Sequence, residues 1–325
     1  MKKKNGRGNM RTNKPQLLLV LLWLVCGCAQ EDKPITYLPS TVATVQGKIL
    51  FMSDRKGDLN ALLLENGNIR SISSGNNVLM PDMKSILGTD FHDFYIVSEQ
   101  NAVIKKVDVP DGLSVGASNF DISPDGKKIV FDADIDHKPQ LFTIDVDPPY
   151  AVTQLTHYDF GYSYFAYPKF SPDGKKVIFG RSRTFDDWTG TIIMYELATG
   201  ETGDLLRYAN RPGSEAEYSP DGTKIAFVSY DNDARNLFVL DLVDYKIYQL
   251  THFDRTPQNY GQVHNPTFSP WGDQIAFALE TRGYGVNAEL FAIGLDGRNL
   301  IRLTPEQKLK DYPYRAIDKY PDWGK

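Results

Sequence analysis

The sequence contains little cysteine, little histidine and no long apolar run, and each shortage narrows the possible functions. Only two of the 325 residues are cysteines, Cys26 and Cys28, so the rest of the chain can form neither an internal disulfide nor a thiolate site. Five residues are histidines. The apolar run at residues 17–25 is about half of the roughly 20 residues that a helix needs to cross a bilayer, which favours a signal core over a membrane span.

Basic residues are concentrated at the N-terminus. Residues 1–16 include six basic residues and no acidic one, and the apolar run follows directly. A basic start, a short apolar stretch and a small residue before a break predict a secretory signal. Removing residues 1–27 changes the formal charge from −5 to −11. An acidic body without a basic cluster argues against nucleic acid as a partner, because affinity for nucleic acid comes from neutralising phosphates.

The stretch Val25-Cys26-Gly27-Cys28 resembles the lipobox of bacterial lipoproteins. The resemblance implies that residues 1–27 are a signal peptide, that Cys28 is acylated (for example with palmitate) and that residues 28–44 form a tether. The alternative is a plain signal peptide with a free Cys28. Ala29 replaces the aspartate associated with inner-membrane retention, which implies an outer-membrane anchor in a Gram-negative bacterium, on the periplasmic side or at the cell surface.

One motif occurs four times in the chain. NFDISPDGKKIVF at residues 119–131 returns as YPKFSPDGKKVIF at 167–179, AEYSPDGTKIAF at 216–227 and NPTFSPWGDQIAF at 265–277. The steps between the motif prolines are 48, 48 and 50 residues. A fixed period in this range indicates repeated structural units.

Each copy has the pattern of a propeller blade. The proline of Ser-Pro-Asp-Gly presets one backbone dihedral and the glycine accepts positive φ, so the motif predicts a tight turn between two strands. Four short strands per copy, without a helical period, are typical of a blade. Residues 47–75 and the degenerate stretch 76–112 fit two further blades. The sequence therefore predicts an all-β, six-bladed β-propeller over residues 45–325, or five blades if residues 76–112 pack irregularly.

The end of the chain predicts how the ring closes. Residues 320–324 align with the start of the repeats at Tyr167 and Asn265. The C-terminal strand is thus expected to complete the first blade by pairing residues 319–325 with residues 47–53. Closure removes the open sheet edges that favour aggregation.

The unit FSPDGKKIxF resembles the repeats of TolB-type β-propellers over residues 45–325. The resemblance is specific for the fold and weak for function. It implies binding to protein partners, as such propellers generally do. TolB itself has an α/β domain ahead of its propeller, whereas a signal and a short tether precede Gly47 in this chain, so a TolB-like propeller other than TolB is expected.

Three stretches of the sequence could mark a catalytic or metal site, but the support for each is weak. Residues 112–116 match G-x-S-x-G but lack the strand–turn–helix context of a nucleophile elbow. Residues 132–136 resemble the start of a calcium loop, but His137 replaces the required glycine. His264 is the histidine expected near the central channel, and its repeat equivalents are not histidines. No catalytic residue, metal site or cofactor is predicted.

The two faces of the predicted ring differ. The SPDG face carries the short Ser-Pro-Asp-Gly turns and the second turns of each blade, while the loop-rich face carries long, dissimilar loops with Tyr, Trp, Arg and Asn. This composition is typical of a recognition surface. The sequence predicts a monomeric, non-enzymatic envelope module that binds a protein partner or a glycan; the alternative is a carbohydrate-active enzyme such as an oligogalacturonate-type polysaccharide lyase. The candidate binding residues are Tyr162, Tyr164, Trp188, Tyr260, His264, Tyr284, Tyr312, Tyr314 and Arg315.

Overall fold

The structure is a computed structural model. It describes residues 38–39, 41–54, 60–74, 77–82, 84–135, 138–158, 164–182, 191–206, 212–231, 233–256, 259–281, 288–305 and 318–324. Within these residues the chain forms 24 strands in six four-stranded sheets. None of the described residues forms a helix of the length and hydropathy that a membrane span requires.

Each sheet is one blade, and its strands follow one another from the central channel outward. Blade 1 has β24 (Asp318–Gly324), β1 (Lys48–Ser53), β2 (Asn60–Glu65) and β3 (Asn68–Ser74); blade 2 has β4 (Asn77–Leu79), β5 (Ser85–Thr89), β6 (Phe94–Ser98) and β7 (Val103–Val107); blade 3 has β8 (Ser114–Ile122), β9 (Lys128–Ile135), β10 (Lys138–Asp145) and β11 (Val152–Gln154). Blade 4 has β12 (Tyr164–Phe170), β13 (Lys176–Ser182), β14 (Thr191–Glu196) and β15 (Thr202–Leu206); blade 5 has β16 (Pro212–Tyr218), β17 (Lys224–Asp231), β18 (Ala234–Asp241) and β19 (Ile247–Gln249); blade 6 has β20 (Gln262–Phe268), β21 (Gln274–Glu280), β22 (Ala288–Gly294) and β23 (Ile301–Arg302).

The six-bladed ring and its closure are confirmed. β24 pairs antiparallel with β1, with Lys48 opposite Gly324 and Ile49 opposite Trp323. The degenerate stretch 76–112 contains a regular blade, blade 2, so the five-blade alternative is wrong. The innermost strands of neighbouring blades contact each other around the ring, including β20 with β24 and β24 with β4. Blades 1 and 4 are therefore opposite each other across the channel.

The Ser-Pro-Asp-Gly turns form as the sequence predicts. In the first copy the Ser123 hydroxyl donates to Asp125 at 2.7 Å, and Gly126 has a φ of 72°. The fourth copy has Trp271 in place of the aspartate, and there the Ser269 hydroxyl donates instead to Asp273 at 2.7 Å. The turn thus keeps its serine–carboxylate bond by taking the carboxylate from two residues further along the chain.

The core lies between the blades. The phenylalanine that ends each motif copy is fully buried, as is its equivalent Phe51 in blade 1. Burying an aromatic side chain of this size stabilises the fold by about 1.5–3 kcal/mol. The phenylalanines that end the four copies are Phe131, Phe179, Phe227 and Phe277.

Candidate functional site

The mouth of the channel on the loop-rich face is shaped by irregularities in the innermost strands. The pairing register shifts between Ala166 and Lys169 in β12, and between His264 and Thr267 in β20. At one shared repeat position the backbone is left-handed: φ is 53° at Tyr167, 49° at Asn265 and 53° at Tyr320. Such bulges redirect side chains, and they are over-represented next to functional sites.

Two tyrosines meet across this channel. Tyr167 belongs to blade 4 and Tyr320 to blade 1, which lie on opposite sides of the ring, yet their ring centroids are 6.4 Å apart with planes inclined by 31°. A left-handed backbone at a bulky residue costs of order 1–3 kcal/mol and persists only where its surroundings impose it. The pair therefore forms an aromatic bridge that is held by the fold itself.

The cavity around the bridge is lined by three consecutive repeat positions of the innermost strands, which we call its upper, middle and lower layers. Its volume is about 70 Å³, well below the roughly 300–1,000 Å³ found for small-molecule sites. The upper layer contains the two tyrosines with Glu215 and Asn265. A middle layer of apolar residues and a lower layer of charged residues follow. The middle layer consists of Phe120, Pro168, Ala216, Pro266 and Pro321, and the lower layer includes Lys169, Glu217 and Asp322.

The lower layer joins the blades. Several innermost strands carry, at the repeat position of Asp121, a side chain whose oxygen accepts a hydrogen bond from the next blade. The donor is the backbone N–H one position further along the repeat in that blade. A buried N–H that loses its acceptor costs about 1–3 kcal/mol, so these bonds stabilise the ring. They join Phe170 to Asp121 (2.9 Å), Phe268 to Glu217 (3.2 Å), Trp323 to Thr267 (3.4 Å) and Leu79 to Asp322 (2.7 Å).

Lys169 is the cation of the lower layer. Its Nζ lies 3.6 Å from Asp121 and 3.6 Å from Glu217. Burial lowers the pKa of Lys169, but the charges of these carboxylates outweigh burial and raise it. Burial raises the pKa of Glu217 to about 7, with help from the negative charge of Asp322 and against the effect of Lys169. Near neutral pH, Glu217 is therefore a proton-exchanging group inside the channel.

A second ionic cluster lies above, where blades 5 and 6 meet. Glu215 binds Arg235 at 2.7 Å and accepts the backbone N–H of Asn265 at 2.7 Å. Burial raises the pKa of Glu215, but Arg235 and the hydrogen-bond donors outweigh it and lower the value to about 2. His264 lies between two carboxylates, with Nδ1 at 3.9 Å from Glu215 and Nε2 at 3.8 Å from Glu280. Ionisable groups thus converge around His264.

Some of the predicted binding residues fall within the described part of the chain. His264 lies on β20 at the channel mouth with 17% of its side chain exposed, and Tyr260 pairs with Asp254 in an isolated bridge just before β20. Tyr164 begins β12. The remaining candidates lie outside the described residues: Cys28, Tyr162, Trp188, Tyr284, Tyr312, Tyr314 and Arg315.

Several residues of the mouth are absent from the residues predicted from the sequence. The sequence did contain a signal for Tyr167 and Tyr320, because both precede a proline at the same repeat position. The sequence contained no such signal for Glu215 and Arg235. The two residues lie on β16 and β18, which are separated by β17, and they belong to no motif.

The structure adds no support for the catalytic and calcium-binding motifs. Gly112 lies in a turn and Ser114 begins β8, so a strand and not a helix follows the G-x-S-x-G match. Asp132 and Asp134 lie on β9, while Asp136 and His137 are not described. Among the described residues no three His, Cys, Asp or Glu side chains are grouped to hold a metal ion.

Comparison with known proteins supports the TolB-like fold. No protein-family model matches the chain. Its sequence is 28% identical over 100 residues to the Tol-Pal system protein TolB of Francisella tularensis subsp. mediasiatica; the match covers 31% of this chain and 21% of the relative. The crystal structure of TolB from Acinetobacter baumannii superposes with a TM-score of 0.63 at 20% identity, covering 85% of this chain and 66% of that one.

The fold is that of a TolB-like six-bladed β-propeller. The chain spans only 21% of the length of the TolB relatives that it matches. The same fold also occurs in an enzyme: an oligogalacturonate lyase from Vibrio parahaemolyticus superposes with a TM-score of 0.56 at 14% identity, covering 84% of this chain and 79% of that one. The fold alone therefore decides neither for nor against catalysis.

Proposed function

We propose that this protein is a non-enzymatic binding module of the Gram-negative envelope, which holds a protein partner at the channel mouth on its loop-rich face. One observation carries the proposal: Tyr167 and Tyr320 are fixed at 6.4 Å across the mouth on strained backbone. Rigid aromatic side chains lose little entropy on binding, and they dominate the energetics of protein interfaces. The similarity to the Tol-Pal system protein TolB adds support for a protein partner in the envelope.

The proposal includes a membrane anchor. Acylation of Cys28 would hold the propeller at the outer membrane, because several acyl chains give stable residence where a single chain does not. Replacing Cys28 by Ser is expected to move the protein from the membrane fraction to the soluble fraction. Persistence of the variant in the membrane fraction would contradict the anchor.

The test of the binding face is a capture experiment with matched variants. Tyr167→Asn and Tyr320→Asn together remove the aromatic bridge, and asparagine is the residue that occupies the same left-handed position at Asn265. This variant should still melt cooperatively and should lose capture of envelope proteins. The control, Lys127→Ala with Lys175→Ala, changes two exposed residues of the SPDG face and should capture normally. Loss of capture in the control alone would show that the wrong face was chosen.

A glycan ligand is an alternative outcome of the same experiment. If the purified protein is retained by immobilised envelope polysaccharide and this retention is lost in the tyrosine variant, the aromatic bridge binds sugar rather than protein.

One observation favours a second function, a polysaccharide lyase. His264 stands between Glu215 and Glu280 with Arg235 beside them, which is the kind of convergence that acid–base catalysis needs. In this case His264→Ala should abolish the release of unsaturated sugar from acidic polysaccharides. Absence of such products with the unaltered protein, together with normal protein capture by His264→Ala, would exclude the lyase.

A further inference from the structure

The turns of blades 5 and 6 on the SPDG face carry exposed apolar side chains, which we call the blade 5–6 patch. Val243 is 77% exposed and Tyr245 74% in one turn, and Trp271 of the neighbouring turn is 47% exposed; Tyr248, 44% exposed, follows on the outermost strand β19. Single exposed apolar residues are ordinary on protein surfaces, whereas several on one face of two adjacent blades mark an interaction surface.

These residues share one face because of the strand order. Val243 and Tyr245 lie in the turn between β18 and β19, and Trp271 lies in the turn between β20 and β21. The backbone ties these turns together. The Leu242 N–H donates to Thr223 of the first turn of blade 5 at 2.8 Å, and Pro220 of that turn lies against Gly272 of blade 6.

The N-terminal segment meets the propeller on the same blade. Val42 forms a parallel bridge with Arg302 of β23, and the Arg302 guanidinium donates from Nε to the Pro39 carbonyl at 2.7 Å. The guanidinium also pairs with buried Glu289 and stacks 4.9 Å over the ring of Phe291. Arg302 thereby fastens this segment to blade 6.

The direction of this segment shows on which face of the propeller the described chain begins. β23 follows the turn at residues 294–300, which lies on the SPDG face. Because the bridge is parallel, the residues before Val42 extend back toward that turn. Leu38 packs against the same core cluster as Leu295 and Leu300 at that end of the blade. The described chain therefore begins, at Leu38, on the side of the blade 5–6 patch.

We propose that the blade 5–6 patch lies in the headgroup region of the membrane, with the SPDG face toward the bilayer and the loop-rich face away from it. This inference rests on the anchor at Cys28 in the proposed function. The ten residues from Cys28 to Leu38 span at most about 36 Å, so the anchor keeps the propeller close to the bilayer, and the described chain begins on the face that carries the patch. Tyrosine and tryptophan favour the membrane interface because they combine an apolar ring with a polar group.

The two parts of this contact have different roles. The acyl chains keep the protein on the membrane, and the patch gives it one orientation. A lipid anchor combined with a second, weaker contact is a common route to stable surface binding. The orientation puts the channel mouth with Tyr167 and Tyr320 on the side away from the bilayer, where a partner can reach it.

The orientation can be measured with single-cysteine reporters. In the proposed acylated form Cys28 carries lipid and Cys26 has left with the signal peptide, so an introduced cysteine is the only free thiol. Val243→Cys reports on the patch. Phe91→Cys, 54% exposed in the turn between β5 and β6, reports on the loop-rich face. Each acylated protein is labelled with an environment-sensitive dye and bound to vesicles of phosphatidylethanolamine and phosphatidylglycerol that carry nitroxide-labelled acyl chains.

The dye at position 243 should lose most of its fluorescence to the lipid nitroxide, and the dye at position 91 should keep it. Trp271→Cys provides a second reporter on the patch and should behave like position 243. Equal quenching at positions 243 and 91, or stronger quenching at 91, would overturn the orientation. If the acylated protein does not float with the vesicles, the anchor fails and the orientation with it, while the capture experiment on the tyrosines stands independently.

Discussion

Glu215 and Glu217 lie two residues apart on β16, and both side chains are largely buried, yet their pKa values shift in opposite directions. Glu215 has a pKa lowered to about 2, because Arg235 at 2.7 Å and a backbone N–H stabilise its charge against the effect of burial. Glu217 has a pKa raised to about 7, because burial and Asp322 outweigh a lysine at 3.6 Å. For these two buried carboxylates, the charged groups and hydrogen-bond donors around each one decide its charge state more than the extent of burial does.

The two glutamates also belong to two different parts of the channel. Glu217 is in the lower layer, where side chains accept N–H groups from the next blade and hold the ring together. Glu215 is in the upper layer, beside the tyrosine bridge and His264. Substitutions that break the buried ionic contacts of either glutamate should therefore act on stability, and substitutions at the tyrosine bridge should act on binding.

The largest expected effect comes from removing the partner of Glu215. Arg235→Met leaves a buried carboxylate without its cation, which should lower the free energy of unfolding by about 3–5 kcal/mol and raise the pKa of Glu215. The measurement is urea denaturation at neutral pH. The double variant Arg235→Met with Glu215→Gln removes both charges and should recover most of the loss. A double variant as unstable as the single one would contradict the ion-pair explanation.

A smaller effect is expected at Asp322, whose two roles can be separated. Asp322→Ala removes the acceptor for the Leu79 N–H and should cost about 1–3 kcal/mol. Asp322→Asn keeps an acceptor and removes the charge, so it should cost less and lower the pKa of Glu217. Chemical denaturation compares the two variants. Equal losses would mean that the bond to Leu79 does not account for the effect.

The pH dependence of stability provides a third test. Between pH 4.5 and pH 7 the folded protein keeps the Glu217 proton that the unfolded chain releases, so this residue makes the free energy of unfolding fall as pH rises. Glu217→Gln should remove that fall, which is on the order of 1–3 kcal/mol. Glu215 acts oppositely: its contribution is lost as pH falls from 4.5 toward 2. An unchanged pH profile for Glu217→Gln would show that its pKa is not raised.

The smallest effect on stability is expected at the tyrosine bridge. Tyr320→Asn alone should lower the free energy of unfolding by about 1 kcal/mol, because asparagine tolerates the left-handed backbone but loses the packing of the ring against the core between blades 1 and 2. Partner capture should nevertheless weaken. Thermal melting and capture are measured on the same preparation. A large loss of stability would place Tyr320 with the lower layer as a structural residue.

Much of the ring could be predicted from the sequence, because the same pattern of strands and turns recurs in each repeat. The turn at Ser123 and the closing strand at Tyr320 follow from periodicity and turn chemistry alone. Even blade 2, which lacks the motif, was indicated by the spacing between Phe51 and Phe131. The use of Asp273 in the fourth turn, where Trp271 replaces the aspartate of the motif, was not predictable, since it depends on the reach of a side chain.

The site was much less predictable than the ring. His264 could be placed near the channel because its repeat position precedes an innermost strand. The meeting of Tyr167 and Tyr320 could not, because it depends on left-handed bulges in opposite blades. The pair of Glu215 and Arg235 arises from tertiary packing between non-adjacent strands of one blade, for which the sequence has no local signal.

The central claim is that a protein partner binds at the tyrosine bridge on the loop-rich face. The most direct measurement places a photo-cross-linking amino acid at position 320 or, on the SPDG face, at position 175, and irradiates intact cells. A specific protein adduct from position 320, with none from position 175, is the predicted result. An adduct from position 175 alone would contradict the claim.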